Sequence, residues 1–315
     1  LLFSALLFAL PFVLIVNQAI SGMSRDIYLD RKEQCGIAIH NSLFHLMQRL
    51  QETRGTSYMA AYQAAINNKL ADRKKEMRDL LVKNDDVTGA CGTTPSSRQA
   101  WRETRKLIEE ALDTKKALSP ADSFRHYSRS IESLIAFMAL TSDDTEIMVD
   151  PRLNHVYLLD AMVQAMPLLM ETTAQLRGKM SGLLASGAPP ARWQAVEMDE
   201  LRAWYSQLGL QRNDVLDSLE RARRVDGAVK SFVDIYRVKV EPKYNLFEQT
   251  SKRLLFEGRA TGITAMGMFN MATSVLAAYD TLYRDISGEM LKLLHDRESE
   301  AVARRNIVLY SSVAA

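Results

Sequence analysis

Two arginines sit where helical periodicity asks for an apolar side chain. In Gln51-Glu52-Thr53-Arg54-Gly55-Thr56-Ser57, Arg54 falls on a seam read at steps of three and four through Met47, Leu50, Tyr58, Ala61 and Ala65. In Gln175-Leu176-Arg177-Gly178-Lys179-Met180-Ser181, Arg177 falls on the seam Met166, Met170, Thr173, Met180, Leu184. A guanidinium does not shed its proton on entering a core, so each must meet an anion. That anion is either internal, with Glu52, Glu171 and Asp160 as candidates, or an external small oxyanion.

Three local features favour the external anion. Gly55 and Gly178 remove the side chain next to each guanidinium, which opens space at some cost in helix propensity. Thr53, Ser57 and Ser181 supply hydroxyls within a turn, and no acidic residue lies one turn away on the same face of either helix. Two cationic forks on neighbouring helices repel unless something negative and planar lies between them.

Other chemistry is sparse. His40, His45, His126, His155 and His295 form no i,i+4 pair and no HExxH or CxxCH pattern, and no GxSxG or phosphate-cradling glycine loop is present. No enzyme activity, catalytic set, metal site or cofactor is expected. Cys35 and Cys91 belong to no metal motif. A second helix running back from a turn near Asn67 would bring Cys91 to the height of Cys35, so the two are either a disulfide of an oxidising compartment or unrelated thiols.

The elements that must position these residues are helical. With 47% hydrophobic and 25% charged residues, 14 glycines, 8 prolines and 15 methionines, the 315-residue chain buries a large core and favours helix over sheet. Its 40 basic and 38 acidic residues are spread evenly, which makes nucleic acid a poor partner. The fold class expected is all-α: an elongated antiparallel bundle, two stacked four-helix bundles sharing long helices.

The first helix should run to about Asn67, and the second from Leu70 to about Lys83. Asn84–Ser97 reads as the first clear loop. A third helix follows to Leu118, and Ser119-Pro120 has the cap-and-first-turn chemistry of the next, which runs to about Leu140. Asp150-Pro151 reads as the start of a helix to Ala185, closed by Ser186-Gly187-Ala188-Pro189-Pro190. A further helix runs from Ala191 to Val240, with a break near Asp226-Gly227 and a kink at Glu241-Pro242. The last begins near Ala265. Each half of the chain has a long helix with an Arg-Gly step near its far end, then a turn and returning helices.

The ends are apolar. Leu1–Val16 carries no charge, and Asn306–Ala315 reads as the first turns of a second apolar run. Residues 1–16 are expected to be a transmembrane helix with a truncated start, although a cleaved signal peptide is the competing reading. Residues 17–305 are then an extramembrane domain, and 306–315 the start of a second span.

The runs LQETRGTS (Leu50–Ser57), DPRLNHVYLLDA (Asp150–Ala161) and QLRGKMS (Gln175–Ser181) resemble the helical sensor domains of bacterial receptors of the nitrate- and nitrite-sensing type. Those modules stand outside the membrane ahead of a HAMP linker and a chemotaxis, histidine-kinase or diguanylate-cyclase output. The resemblance implies a periplasmic domain of an inner-membrane receptor, a homodimer, and a nitrate-like ligand facing Arg54 and Arg177. Arg202 is added because the turn near Ala188 folds its helix back beside Arg177. The expected ligand set is therefore Arg54, Arg177, Gly55, Ser57, Gly178, Ser181 and Arg202, with signal passing through the last helix. The alternative is a structural, dimerising or protein-binding module whose arginines close internal ion pairs.

Overall fold

The computed structural model describes residues 2–60, 62, 67–91, 93–113, 119–150, 152–226, 230–258 and 262–314, without the side chains of residues 2–10, 67–69, 90, 230 and 313–314. Among them are ten α-helices and no strand: α1 (Leu2–Ala60), α2 (Asn67–Ala90), α3 (Pro95–Leu112), α4 (Pro120–Asp144), α5 (Leu153–Asp160), α6 (Met166–Ala185), α7 (Ala195–Val225), α8 (Lys230–Ile235), α9 (Glu241–Phe256) and α10 (Ala265–Ala314). A π-helical segment, Ala161–Ala165, joins α5 to α6, and another, Tyr236–Val240, joins α8 to α9. The ten helices therefore make eight rods.

The apolar spacing explains the packing. On α3 the buried residues Trp101, Thr104, Ile108 and Ala111 recur at steps of three and four, and on α4 Phe124, Tyr127, Ile131, Leu134 and Met138 do the same. Each buried leucine or phenylalanine contributes about 1.5–3 kcal/mol relative to exposure. Cross-links fix the directions. Arg49 to Glu76 and Arg73 to Glu52 set α2 antiparallel to α1, while Gln48 to Asp280 and Arg31 to Glu298 do so for α10. Helix α6 runs parallel to α1, because Gly55 faces Gly178 and Tyr58 faces Gly182.

Helices α1 to α4 pack as one up-and-down group and α5/α6 to α10 as a second, and the two meet along α1, α4, α6 and α10. Helix α6 lies at the centre. From Met166 to Leu183 all but Leu168 is buried, including Glu171, Arg177, Lys179 and Ser181. Cys35 of α1 and Cys91, just past α2, are joined by a disulfide with Cα atoms 5.7 Å apart.

Several boundaries differ from the sequence reading. The run Asn84–Ala90 stays helical rather than looping out, because Asn84 is buried and returns its amide to the Leu80 carbonyl while Thr88 bonds the Asn84 carbonyl. Helix α3 starts at Pro95, capped by Thr94, and α4 runs four residues past Leu140. Ser119 caps α4 as its Ser-Pro step suggests. Asp150 does not cap α5 as a first-turn neighbour; its carboxylate accepts from the Arg152 amide and the His155 ring. Ahead of Pro242 the rod widens into the π segment, where a proline kink was expected. Helix α1 ends at Ala60, short of Asn67, and α2 already begins at Asn67, where the turn was expected. Helix α3 stops at Leu112, before the expected Leu118, and α7 stops at Val225 with Asp226 extended, in keeping with a break near Asp226-Gly227. Residues 63–66, 114–118, 151 and 227–229 lie outside the described residues.

Among the described residues no helix is long and apolar enough to cross a membrane. Most of the apolar run 1–16 lacks described side chains. Phe12, Val13, Leu14 and Ile15 on α1, and Ile307, Leu309 and Tyr310 on α10, are exposed.

Candidate functional site

Arg54 and Arg177 are both fully enclosed, at 0% and 1% exposure, yet their surroundings differ. Arg54 meets the Glu171 carboxylate with two bonds, Nη1 to Oε1 at 2.5 Å and Nη2 to Oε2 at 3.2 Å. Ser128 Oγ accepts a further bond from Nη1 at 3.0 Å, and the Phe124 ring lies 4.9 Å from the guanidinium carbon. Gln51 completes the arrangement by donating to Glu171 Oε2 at 3.0 Å. Burial raises the Glu171 carboxyl above its usual range, with Arg54 and Gln51 pulling it back. The internal-ion-pair alternative thus holds for Arg54, and Glu171 is its carboxylate.

Among the described residues Arg177 has no such partner. Its Nη1 donates to Thr273 Oγ1 at 3.2 Å and its guanidinium carbon lies 4.8 Å from the Phe269 ring, but Nε and Nη2 are buried without an acceptor. Loss of solvent lowers its pKa to about 10, with the field of Glu52 opposing that shift and Arg54 adding to it. Glu52 does not close the gap, because Arg49 and Arg73 both bond its Oε2, at 3.0 and 2.6 Å. A buried cation with unmade hydrogen bonds is a costly arrangement for stability alone.

Arg177 also lines a cavity of about 570 Å³ bounded by α1, α6 and α10. Thr273, Gln48, Asp280, Arg284 and Asn41 are among its polar walls, and Phe44, Leu276, Tyr283 and Leu291 among its apolar ones. Phe44 and Tyr283 stack with centroids 3.6 Å apart. Three guanidiniums (Arg49, Arg177, Arg284) and two carboxylates (Glu52, Asp280) line it, which leaves one positive charge in excess. Arg49 pairs with Glu52 and Arg284 with Asp280, so that excess resides on Arg177.

The remaining expected ligand residues lie elsewhere. Gly55 and Gly178 do not open space beside the guanidiniums. They form the crossing of α1 and α6, where a Cβ on Gly55 would stand 3.6 Å from the Gly178 Cα. Arg54 is met by Glu171, while Arg177 faces the cavity. Ser57 bonds Ser123 at 3.0 Å, and Ser181 is buried with its hydroxyl unpaired and does not line the cavity. Arg202 is turned away from Arg177: its Nη2 donates to the Leu255 carbonyl at 3.1 Å, tying α7 to the end of α9. Lys179 answers Glu197 and Glu200 on α7. Thr273, Gln48 and the two phenyl rings were missed by sequence reasoning; the one available signal was the shared four-residue spacing of Phe124 to Ser128 and Phe269 to Thr273.

A second concentration of charge lies at the end of the bundle that holds the disulfide. Arg297 of α10 bonds Asp30 at 2.5 Å, Glu33 at 2.6 Å and Asp150 at 3.0 Å, and Asp150 also accepts from His155 at 2.9 Å. Burial pushes Glu33 up to about 7, against the pull of Arg297. This cluster joins α1, α10 and the entry to α5, and the sequence did not single it out.

No family model, characterised protein or solved structure matches the chain, so the functional reading rests on this geometry and on the residues that build it.

Proposed function

We propose that this chain is the extracytoplasmic ligand-sensing region of a bacterial transmembrane signalling receptor, and that it binds a small planar anion at Arg177. The observation that carries the reading is the buried Arg177 guanidinium, with Nε and Nη2 unbonded at the wall of a 570 Å³ cavity. A purely structural arginine would have been given an acceptor, as Arg54 was given Glu171.

The layout supports a receptor. The cavity is walled by α10, and the same helix continues through Arg297 to Ala314, so a ligand that reset the α1–α10 contact would act on the whole of that rod. The exposed apolar residues of α1 and α10 emerge at one end of the bundle, which suits two flanking transmembrane helices at 1–16 and 306–315 around a periplasmic domain of residues 17–305. The disulfide suits an oxidising compartment. On this reading the two four-rod groups form the stacked bundles of the sensor, the receptor is a homodimer in the inner membrane, and a chemotaxis, kinase or cyclase output lies beyond. The Arg54–Glu171 pair favours the competing reading, a structural or dimerising module, for that arginine alone.

Calorimetric titration with sodium nitrate and sodium nitrite tests the proposal. Binding that vanishes in Arg177→Met and survives in Arg202→Gln is the expected result. A chain with no measurable affinity for any small anion would sink it.

A further inference from the structure

The two arginine sites are built to one plan. Arg54 lies against Phe124 and bonds Ser128, four residues further along α4; Arg177 lies against Phe269 and bonds Thr273, four residues further along α10. Each is followed by a glycine, and the two glycines cross as mirror parts: a Cβ on Gly178 would touch the Phe124 ring at 3.0 Å, and one on Gly55 the Phe269 ring at 3.1 Å. The correspondence extends to the acid. Glu171 stands six residues before Arg177 on α6 and fills the Arg54 cradle, while the residue six before Arg54 on α1 is Gln48, which lines the Arg177 cavity. The plan is therefore complete in one half and lacks its carboxylate in the other.

Resting on the reading of the Arg177 cavity as a ligand site, we infer that its ligand is an organic monocarboxylate whose carboxylate takes the place that Glu171 occupies in the sister cradle. Two further observations agree. A four-atom oxyanion displaces on the order of one or two waters of ~30 Å³ each, far less than the 570 Å³ present. Beyond Arg177 the cavity carries an apolar strip of Phe44, Leu276, Tyr283 and Leu291 among polar walls that include His45 and Ser287, which suits an organic body larger than a bare oxyanion. The single uncompensated positive charge matches a monoanion, since Arg49 and Arg284 are already paired with Glu52 and Asp280. Gln48, whose amide donates to Asp280 at 2.9 Å, stands where the sister site has Glu171, and among the described residues no carboxylate bonds the Arg177 guanidinium.

Titration of the 315-residue chain with acetate, benzoate, 3-phenylpropionate, succinate, nitrate and nitrite at matched ionic strength, together with Gln48→Glu, tests this. The expected result is that at least one of the larger monocarboxylates binds about tenfold or more tighter than nitrate, and that Gln48→Glu, repelled from Asp280 and turned toward Arg177, abolishes that binding by supplying the missing acid from within. Nitrate or nitrite binding tighter than every carboxylate overturns the inference and leaves the anion-sensor reading standing; no binding by any of the six ends both. Carboxylate binding that persists at full strength in a folded Gln48→Glu protein also overturns it. Should Gln48→Glu not fold, Glu171→Ala serves in its place: acetate restoring its melting temperature more than nitrate does supports the carboxylate selectivity of the cradle, and equal restoration overturns it.

Discussion

Gly55 of α1 and Gly178 of α6 pass so close that a Cβ on Gly178 would lie 3.4 Å from the Gly55 Cα and 3.0 Å from the Phe124 ring. Gly178→Ala must therefore displace the ring that covers Arg54, and a loss of about 1–3 kcal/mol is expected from overpacking. Gly182→Ala should cost more, because its Cβ would fall 1.7 Å from the Tyr58 ring. Gly209→Ala, with open space around it, should instead gain about 0.5–1 kcal/mol from helix propensity. Urea unfolding of the three variants measures the order.

The two arginines should respond in opposite senses. Arg54→Met strands the Glu171 carboxylate in a buried site, and a loss of about 3–5 kcal/mol is expected. Arg177→Met removes a buried cation that no carboxylate bonds, so in anion-free buffer stability should hold or rise by about 1–4 kcal/mol. Equal losses in both variants would show that Arg177 has an internal partner after all.

Reduction of Cys35–Cys91 reopens a loop with a sequence separation of 56. The chain-entropy relation puts the loss at about 4 kcal/mol. Dithiothreitol should therefore lower the melting temperature of the wild type and leave a Cys35→Ser/Cys91→Ser double variant unmoved.

Glu33 should make stability fall as pH rises. Its folded pKa of about 7 lies above the ordinary value of 4.5, so the native state holds the extra proton between those values, and stability is lost as pH climbs through that window. Glu33→Gln should flatten the decline, read as melting temperature from about pH 5 to about pH 8. His40 acts the other way. Buried beside Ser142 and lowered by desolvation to about 4, it resists the proton that the unfolded chain accepts, so stability is lost as pH falls from the ordinary histidine value of 6.5 toward 4. A folded protein whose pH profile Glu33→Gln left unchanged would show that Arg297 keeps that carboxylate ionised throughout.

The helical class, the Ser119 cap and the close of α6 at Ala185 could be read from the sequence, because periodicity, capping chemistry and a Gly-Pro-Pro stop are local. The two seam arginines were legible for the same reason. Which of them carried its own anion was not, since Glu171 lies on the helix of Arg177 and yet serves Arg54 across the α1–α6 contact. The glycines were misread similarly: one residue beside a guanidinium looks like room for a ligand, whereas two glycines on facing helices are the condition for their approach. Arg202 shows the limit of antiparallel reasoning, which sets the height of a residue along a rod but not the side it faces.

The π segment at Ala161–Ala165 sets which side the residues of α6 face. A surplus residue in a helical turn rotates everything beyond it by about 100°. The bearing of Arg177 toward its cavity is thus set relative to α5, with its His155 and Asp150 anchorage, by the phase offset of a single turn. Deleting one alanine there would swing the guanidinium out of register with Thr273 while leaving every seam residue of α6 in its own order.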